Sequence, residues 1–419
     1  MLPSPGLAAM NVLFLIHRYP PAPGGSERYV REVARRLVAR GHSATVLTST
    51  LIDVEGFWER GRRAVKEGSE DDGGVRVVRF RPRVLPLHGV ISRVLGLVPW
   101  VPVGIGLGPP GLILPGLWRA VRTVSGLDVV HAAAYPSLMY LGAVAARRSG
   151  ARLVLMPCSH PGAHAVGEQV TARLPGRLVK LYRQASSIVA MTHLEEEMLI
   201  QAGVPGERVV VTGAGIDPSV SQGSDGARFR RTHGLATGAP VLSFVGHKTG
   251  GKGALDLLDA SRTLLTHRPD LVIAMVGPST AEFERAHRAL PEHLRRRVLD
   301  LSLSEKEKHD LLAASAALVL PSRDDSFGIV LLEAWLHSRP VVGARAGGIP
   351  AVIEDGVTGL LVPFGDVPAI TRAVERLLDH PDEAVRLGKL GRERVLAHHT
   401  WDDVYRRLEP VYQGSNRQR

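Results

Sequence analysis

Residues Asn11–Ile16 read NVLFLI, His17–Gly25 read HRYPPAPGG, and Ser43–Ser49 read SATVLTS. The first is an apolar run of strand length, the second a loop of chain breakers, the third another strand. Between them Val30, Val33, Ala34, Leu37 and Val38 recur at the spacing of one helical face, and Gly41 closes the run. Ser26 is placed to cap this helix. Strand, helix and strand at this spacing form a βαβ unit, which requires a parallel sheet.

The alternation continues outward. Asp128–His131 and Leu153–Met156 read as strands with a helix near Leu138–Arg147 between them. Ser187–Met191, a helix through Glu195–Gln201 and Val209–Val211 follow. Gly213–Asp217 (GAGID) opens an irregular stretch to about Gly226, where a linker is expected. The pattern restarts with Val241–Val245, a helix after Gly253, strand Leu271–Val276, helix Glu282–Val298, strand Ala317–Leu320, helix Phe327–Leu336, strand Pro340–Val342 and two terminal helices. The expectation is α/β throughout: residues 1–225 and 226–398 as two Rossmann-like βαβ domains facing across a cleft, with 399–419 a helix returning to the first. Ligands of such sheets lie beyond the carboxyl ends of the strands.

A chain of 419 residues exceeds one ordinary core, and 44% hydrophobic with 22% charged residues excludes disorder as the main state. One cysteine, Cys158, excludes an internal disulfide and fits a reducing, cytoplasmic compartment. The first charged side chain, Arg18, follows the apolar run Met10–Ile16, the wrong order for a signal peptide. Net charge is 52 − 41 = +11, of which residues 1–225 hold 25 − 17 = +8. With 5% aromatics and dispersed arginines, nucleic acid is not expected as a partner. Most of these arginines read as solvated surface. As a partner for the asymmetry, an anionic membrane surface or an acidic substrate fits better. Val94–Leu114 is uncharged over 21 positions but holds four prolines and five glycines, so it reads as an apolar loop that touches acceptor or lipid, not a spanning helix.

Chemistry concentrates in a few places. In the apolar segment Phe327–Leu336, Glu333 is the one charge; such a carboxylate either pairs with a cation or faces a polar cleft. Asp325 lies eight residues earlier. Ser326 and the amides of Phe327 and Gly328 face hydroxyls or anions from a helix start. Gly347-Gly348 after one strand and Gly24-Gly25 after another allow close backbone approach, which suits a diphosphate. Gly246–Gly253, GHKTGGKG, nearly matches a phosphate-binding P-loop but has Gly253 where a hydroxyl holds magnesium. Lys252 remains a phosphate contact. His160 and His131 sit at expected strand ends, where a ligand contact and a structural role are both open. His160 and His164 have zinc-helix spacing, but Pro161 and Gly162 break the helix. No Asp-x-Asp pair occurs.

Together these residues resemble the retaining glycosyltransferases of family four, which have the GT-B fold. The resemblance covers nearly the whole chain: Pro23–Gly25, the strand leading to His160, GAGID, Val245–Gly253, Pro321-Ser322, Asp325–Gly328, Glu333-Ala334, Arg345–Pro350, Asp355–Gly359 and Thr400-Trp401. It implies a metal-independent hexosyltransferase that takes a nucleoside-diphosphate sugar, UDP-sugar ahead of GDP-sugar, as co-substrate. The acceptor would be a saccharide, a lipid-linked sugar or a small natural product. His160 and Asp325 would be catalytic. Gly24, Gly25, His247, Lys248, Lys252, Ser326, Phe327, Gly328, Glu333, Gly347 and Gly348 would bind donor, with Glu333 on the ribose; His131 would approach the acceptor. The family usually has Arg at His247, Glu at Asp325 and Glu at Ala351, so a homologue that binds nucleotide sugar with little activity is the alternative. A P-loop nucleotidase is the other, separable by its need for magnesium.

Overall fold

The computed structural model describes residues 8–57, 61–84, 112–159, 174 and 176–415. The chain forms two α/β units. One holds the described residues up to Ser159, those through Thr212, and those from Val404 on; the other runs from Gly213 to Asp403. Gly213–Asp225, expected as linker, therefore clusters with the second unit.

The first unit begins with β1 (Asn11–Leu15), α1 (Gly25–Ala39) and β2 (Ser43–Ser49). It continues with β3 (Gly68–Asp72), β4 (Val75–Phe80), a small pair β5 (Arg83–Val84) and β6 (Leu112–Ile113), and α2 (Pro115–Thr123). Then come β7 (Val129–Ala133), α3 (Pro136–Ser149), β8 (Arg152–Met156), α4 (Gly176–Tyr182), β9 (Ser187–Ala190), α5 (His193–Gln201) and β10 (Val209–Val211). The sheet order is β10-β9-β8-β7-β1-β2-β4-β3, parallel except for β3. Its central strands are buried on both faces, which is why β1 and β8 read as continuous apolar runs. Val30, Val33, Ala34 and Leu37 of α1 are buried as their spacing predicts. The hairpin β3–β4 was not read from the sequence: Gly68–Asp72 is GSEDD, almost wholly exposed, an edge strand without apolar alternation.

The second unit contains α6 (Gly226–Thr232), β11 (Val241–Val245), α7 (Ala254–His267), β12 (Val272–Val276), α8 (Ala281–Arg288), α9 (Glu292–Arg295), β13 (Val298–Leu301), α10 (Glu305–Ala314), β14 (Ala317–Leu320) and α11 (Ile329–Leu336). It ends with β15 (Val341–Ala344), α12 (Ile349–Val352), β16 (Leu360–Val362), α13 (Val367–Asp379), α14 (Pro381–His398) and the start of α15 (Trp401–Gln413). All six strands are parallel, in the order β13-β12-β11-β14-β15-β16. The helix expected over Glu282–Val298 is two short helices, because Pro291 breaks it, and Val298 opens a strand. The carboxyl end of the chain holds three helices, not two. GAGID and Thr400-Trp401 belong together: Ile216 N donates to His399 O at 2.8 Å, and a Cβ on Gly215 would lie 2.8 Å from the Trp401 ring.

Each sheet changes direction once, between β1 and β7 in the first unit and between β11 and β14 in the second. The loops after those strands flank the crevice in which ligands of open α/β sheets bind. No helix among the described residues is long and apolar enough to cross a membrane. Most of the uncharged stretch, residues 94–111, lies outside the described residues.

His131 is not at a strand end. β7 continues through Ala132 and Ala133, and the imidazole is fully buried with Nδ1 2.7 Å from the Tyr412 hydroxyl. It is a core histidine and not an acceptor contact. Burial holds its pKa down at about 3, and that of His17 likewise. The unfolded chain takes up these protons near pH 6.5. Between pH 6.5 and 3 the unfolded state thus binds more protons, and each histidine withdraws about 1.4 kcal/mol of stability per pH unit as pH falls. His131→Phe should therefore flatten the loss of stability between pH 6.5 and 4 by one proton's slope. At pH 7.5 it should cost about 1–3 kcal/mol, since Tyr412 loses its partner. Urea denaturation at several pH values reads both effects.

Candidate active site

The best-defined constellation lies where β11 and β14 pair. The loop after β11 and the loop after β14 are joined backbone to backbone: Gly251 O accepts the amides of Arg323 and Asp324 at 3.0 and 3.2 Å. The approach requires glycine. A Cβ on Gly251 would sit 1.7 Å from Asp324 Oδ2, and one on Gly253, at φ 72°, would sit 2.2 Å from Pro321 O. The P-loop-like spelling GHKTGGKG thus joins a strand to a helix, but its glycines admit the neighbouring loop.

This places Lys252 Nζ 2.7 Å from Asp325 Oδ1 and 3.1 Å from Asp324 O. Asp325 Oδ2 is buried and has no hydrogen-bond partner among the described residues. One carboxylate oxygen is held by an ammonium while the other is left for a donor from outside. Phe327 is buried edge-on to the His399 ring at 5.6 Å, and Gly328, at φ 82°, starts α11. Gly347 and Gly348 approach the same loop from β15. Gly348 N donates to Asp325 O at 2.7 Å, and a Cβ there would lie 2.0 Å from Ser326 O. The expected reason for this Gly-Gly pair was room for a ligand; the structure shows room for the backbone that carries Asp325.

Two expected donor contacts are placed differently. Lys248 is 1% exposed and its ammonium bonds Asp300, with Ser279 Oγ at 3.1 Å and the Phe283 ring beneath. It is tied to β13, a strand the sequence reading missed. Glu333 lies within α11 among Leu331, Leu332, Ala334 and Trp335, all fully buried. Lys308 Nζ lies 2.9 Å from each of its oxygens. The cation that the sequence reading allowed for is a lysine from α10. Glu305 and His309 bring ligand-capable atoms within 4.8 Å of Glu333, but the Lys308 ammonium bonds both carboxylates there and already supplies the cation.

At the first unit's crevice, Gly24 precedes α1 with no side-chain cap; Ser26 lies inside the helix and its hydroxyl donates to Glu27 Oε2 at 2.9 Å. A Cβ on Gly24 would overlap the Glu27 carboxylate, 2.1 Å away. Glu27 pairs with Arg18 at 2.6 Å, both nearly inaccessible. Neither residue was singled out from the sequence, since one lies in a loop and the other on a charged helix. Ala134 and Cys158, just beyond β7 and β8, adopt φ 70° and 51°, backbone strain of the kind that gathers at binding edges. His160 lies outside the described residues. Its neighbour Ser159 donates its amide to Glu195 Oε1 at 2.6 Å, and burial pushes the Glu195 carboxyl up to about 8.

Comparison with known proteins places this geometry. Residues 225–394 match the family described as glycosyl transferases group 1, and residues 23–220 match glycosyltransferase family 4. The chain is 30% identical over 387 residues to D-inositol 3-phosphate glycosyltransferase 1 of Catenulispora acidiphila, covering 85% of this chain and 89% of that one. It is 27% identical over 421 residues to D-inositol 3-phosphate glycosyltransferase of Acidothermus cellulolyticus, covering 94% and 86%. Among solved structures, sucrose-phosphate synthase of Thermosynechococcus elongatus superposes with a TM-score of 0.74 at 21% identity, over 96% of this chain and 98% of that one. Anabaena HepE, in complex with UDP and glucose, gives 0.70 at 20%, over 96% and 99%. The fold is GT-B, and the chain belongs to the family 4 glycosyltransferases.

The contact between residues 325–326 and 348 is testable. Gly348→Ala must push aside a backbone carbonyl and should cost about 1–3 kcal/mol, the range for overpacking. Gly246→Ala, whose methyl would only touch Phe244 at 3.7 Å, should cost well under half as much. Denaturant midpoints of the two variants compare them.

Proposed function

We propose that this glycosyltransferase moves a sugar, with retention and without a metal ion, from a nucleoside-diphosphate sugar to an acceptor hydroxyl. The observation that carries this reading is Asp325 at the switch point of the second sheet, with Oδ1 held by Lys252 and Oδ2 buried without a partner among the described residues. A carboxylate so held orients sugar hydroxyls that donate to Oδ2. Lys252 lies near enough to exchange Asp325 for a phosphate oxygen of the donor. The amides at the start of α11 present the positive end of that helix to the same ligand. Glu333 accepts the ribose hydroxyls. UDP is the favoured nucleotide, which the UDP complex of the structurally similar HepE supports.

In the reaction the acceptor oxygen forms a bond to the anomeric carbon on the face that the diphosphate leaves. The carbon–oxygen bond to the β-phosphate breaks, and its electron pair stays on that phosphate. The acceptor proton passes to the departing phosphate oxygen, so no protein base is consumed. His160, by family resemblance, lies beneath the sugar. The acceptor is a hydroxylated ring bearing a phosphate or a further sugar, a class the names of the similar D-inositol 3-phosphate glycosyltransferases support.

Thermal stabilisation by a panel of UDP- and GDP-sugars, followed by product analysis with the best donor, tests this reading. The expected product keeps the donor's anomeric configuration, and turnover survives EDTA. An inverted product or an absolute need for magnesium rejects the mechanism. Asp325→Asn removes the charge at constant size and should lower kcat/KM by about 10- to 150-fold, the worth of one charged hydrogen bond of about 1.5–3 kcal/mol. Unchanged kcat/KM would remove Asp325 from the site.

A membrane-facing acceptor is the second element of the proposal. Half-exposed Trp118, with the Arg122 guanidinium 4.4 Å over its ring, follows the uncharged stretch directly, and the first 225 residues carry +8. A Trp beside arginines suits a lipid interface. Flotation with anionic vesicles should recover the protein with the lipid at low salt and release it as salt rises. A protein that never floats leaves only a water-soluble acceptor.

A further inference from the structure

The face of β4 that carries Val75 and Val77 is buried, and the next position on it is Arg79. The Arg79 side chain is 2% exposed, and its charge is met by Glu70 of β3, 2.6 Å away and 53% exposed. Alternation along the strand asks for an apolar residue at this position. Desolvating a guanidinium generally offsets what its ion pair returns, and a well-packed apolar side chain serves stability as well or better. Stability therefore does not account for an arginine at 79.

The guanidinium reaches the loop between β1 and α1. Arg79 Nη2 donates to Pro20 O at 2.5 Å and Nη1 to Tyr19 O at 3.5 Å, with the Tyr19 ring 5.8 Å away. Residues 19–24 read YPPAPG, and Pro20, Pro21 and Pro23 have no N–H to give. Such a loop is anchored mainly through its carbonyls, and the planar fork of an arginine suits two consecutive ones. β3 holds both flanks of the same loop. Tyr19 Oη donates to Asp72 Oδ2 at 2.8 Å, and Arg31 of α1 donates to both Asp72 oxygens at 2.9 and 3.0 Å. Arg35, one helical turn on, donates to the same carboxylate. The polar edge strand GSEDD thus grips, through Glu70 and Asp72, the loop, its buried arginine and the helix that follows.

We propose that Arg79 is a positioning residue for the reaction: paired with Glu70, it fixes the loop Tyr19–Gly24 at the exit of β1, beside the switch point of the first sheet, where substrate needs it. The proposal rests on the reading of that crevice as a substrate site. β1 and β7 are neighbours there, and ligands of open α/β sheets bind beyond such a pair. Arg79 need not touch substrate itself. Its effect is on geometry, and a misplacement of about 1 Å at a positioning element costs about 100-fold in rate.

The test compares wild type and Arg79→Met, with Glu32→Gln, which breaks the Glu32–Arg36 pair within α1, as control. The readouts are melting temperature, hydrogen exchange of peptides spanning residues 17–28, the UDP dissociation constant, and turnover. Turnover is release of nucleoside diphosphate from the panel of UDP- and GDP-sugars, with D-inositol 3-phosphate as acceptor probe. Arg79→Met fills the apolar position and should move the melting temperature by less than about 4 °C. Exchange over residues 17–28 should quicken by about tenfold. UDP affinity should hold, while kcat falls by about 10- to 100-fold. Glu32→Gln should match wild type in every readout. An arginine that serves stability alone gives the opposite pattern: a large drop in melting temperature with wild-type kcat per folded molecule, which overturns the proposal. Unchanged exchange over residues 17–28 overturns it too, as does UDP affinity that falls as far as kcat, the mark of general damage. If wild type releases nucleotide from no sugar of the panel, the reading of the crevice fails and takes this inference with it. If wild type turns over and Arg79→Met equals it, the positioning role alone fails. Should Arg79→Met not fold, Arg79→Lys, which keeps a charge for Glu70 but no fork for two carbonyls, carries the same readouts with the same outcomes.

Discussion

The ion pair of Lys252 and Asp325 depends on a contact that only glycine permits. Gly251 O receives two amides from the loop after β14, and no side chain fits between the strands' two exits. That single approach brings the end of β11 against the end of β14, the point at which the sheet reverses its order. Lys252 then has one direction to extend, and Asp325 one oxygen to offer it. Gly348 holds the other side of the same loop through Asp325 O. The carboxylate is thus fixed by backbone on two sides and by an ammonium on a third, before any ligand arrives. Preorganisation of this kind keeps the ordering cost out of the binding step.

Charge in the second unit is distributed on the same principle. Three lysines, Lys248, Lys252 and Lys308, each meet an acid, but the exposures differ. Lys248 is sealed against Asp300, Lys252 is a quarter exposed beside Asp325, and Lys308 joins buried Glu333 to exposed Glu305. A sealed pair has nothing left to give a ligand. A partly open pair can exchange one partner for a phosphate or a hydroxyl at modest cost, because its desolvation has already occurred.

The sequence carried the sheets and their order of appearance well, because a strand buried on both faces must be apolar throughout and a helix between two such strands shows its buried face at 3.6-residue spacing. It missed the short apolar β16, and it failed at two strands where that rule does not apply. β3 is polar because it is an edge, and β13 carries Asp300 because Lys248 needs it there. Pro291 was passed over inside an otherwise helical run. The candidate site was legible as a set of residues but not as a set of pairs. Lys248 and Lys252 are four residues apart in one loop, and nothing local tells which faces the core. Lys308 lies in a run of alternating charge, and its burial follows only from the position of α10 beside α11.

The first unit shows the converse limit. Gly24-Gly25 was read as space for a diphosphate, yet what fills the space at Gly24 is the Glu27 carboxylate, clamped by Arg18 and Ser26. An acid in the first turn of α1 already answers the positive end of that helix. An anionic ligand approaching this helix start meets a charge of its own sign unless Arg18 turns from Glu27 to meet it. The second unit's open pair at Lys252 demands no such exchange between two sealed partners. The start of α1 therefore opposes an anion more than the partly open Lys252–Asp325 pair does. Gly24 thus serves to admit the Glu27 carboxylate, which Arg18 and Ser26 then hold at the start of α1.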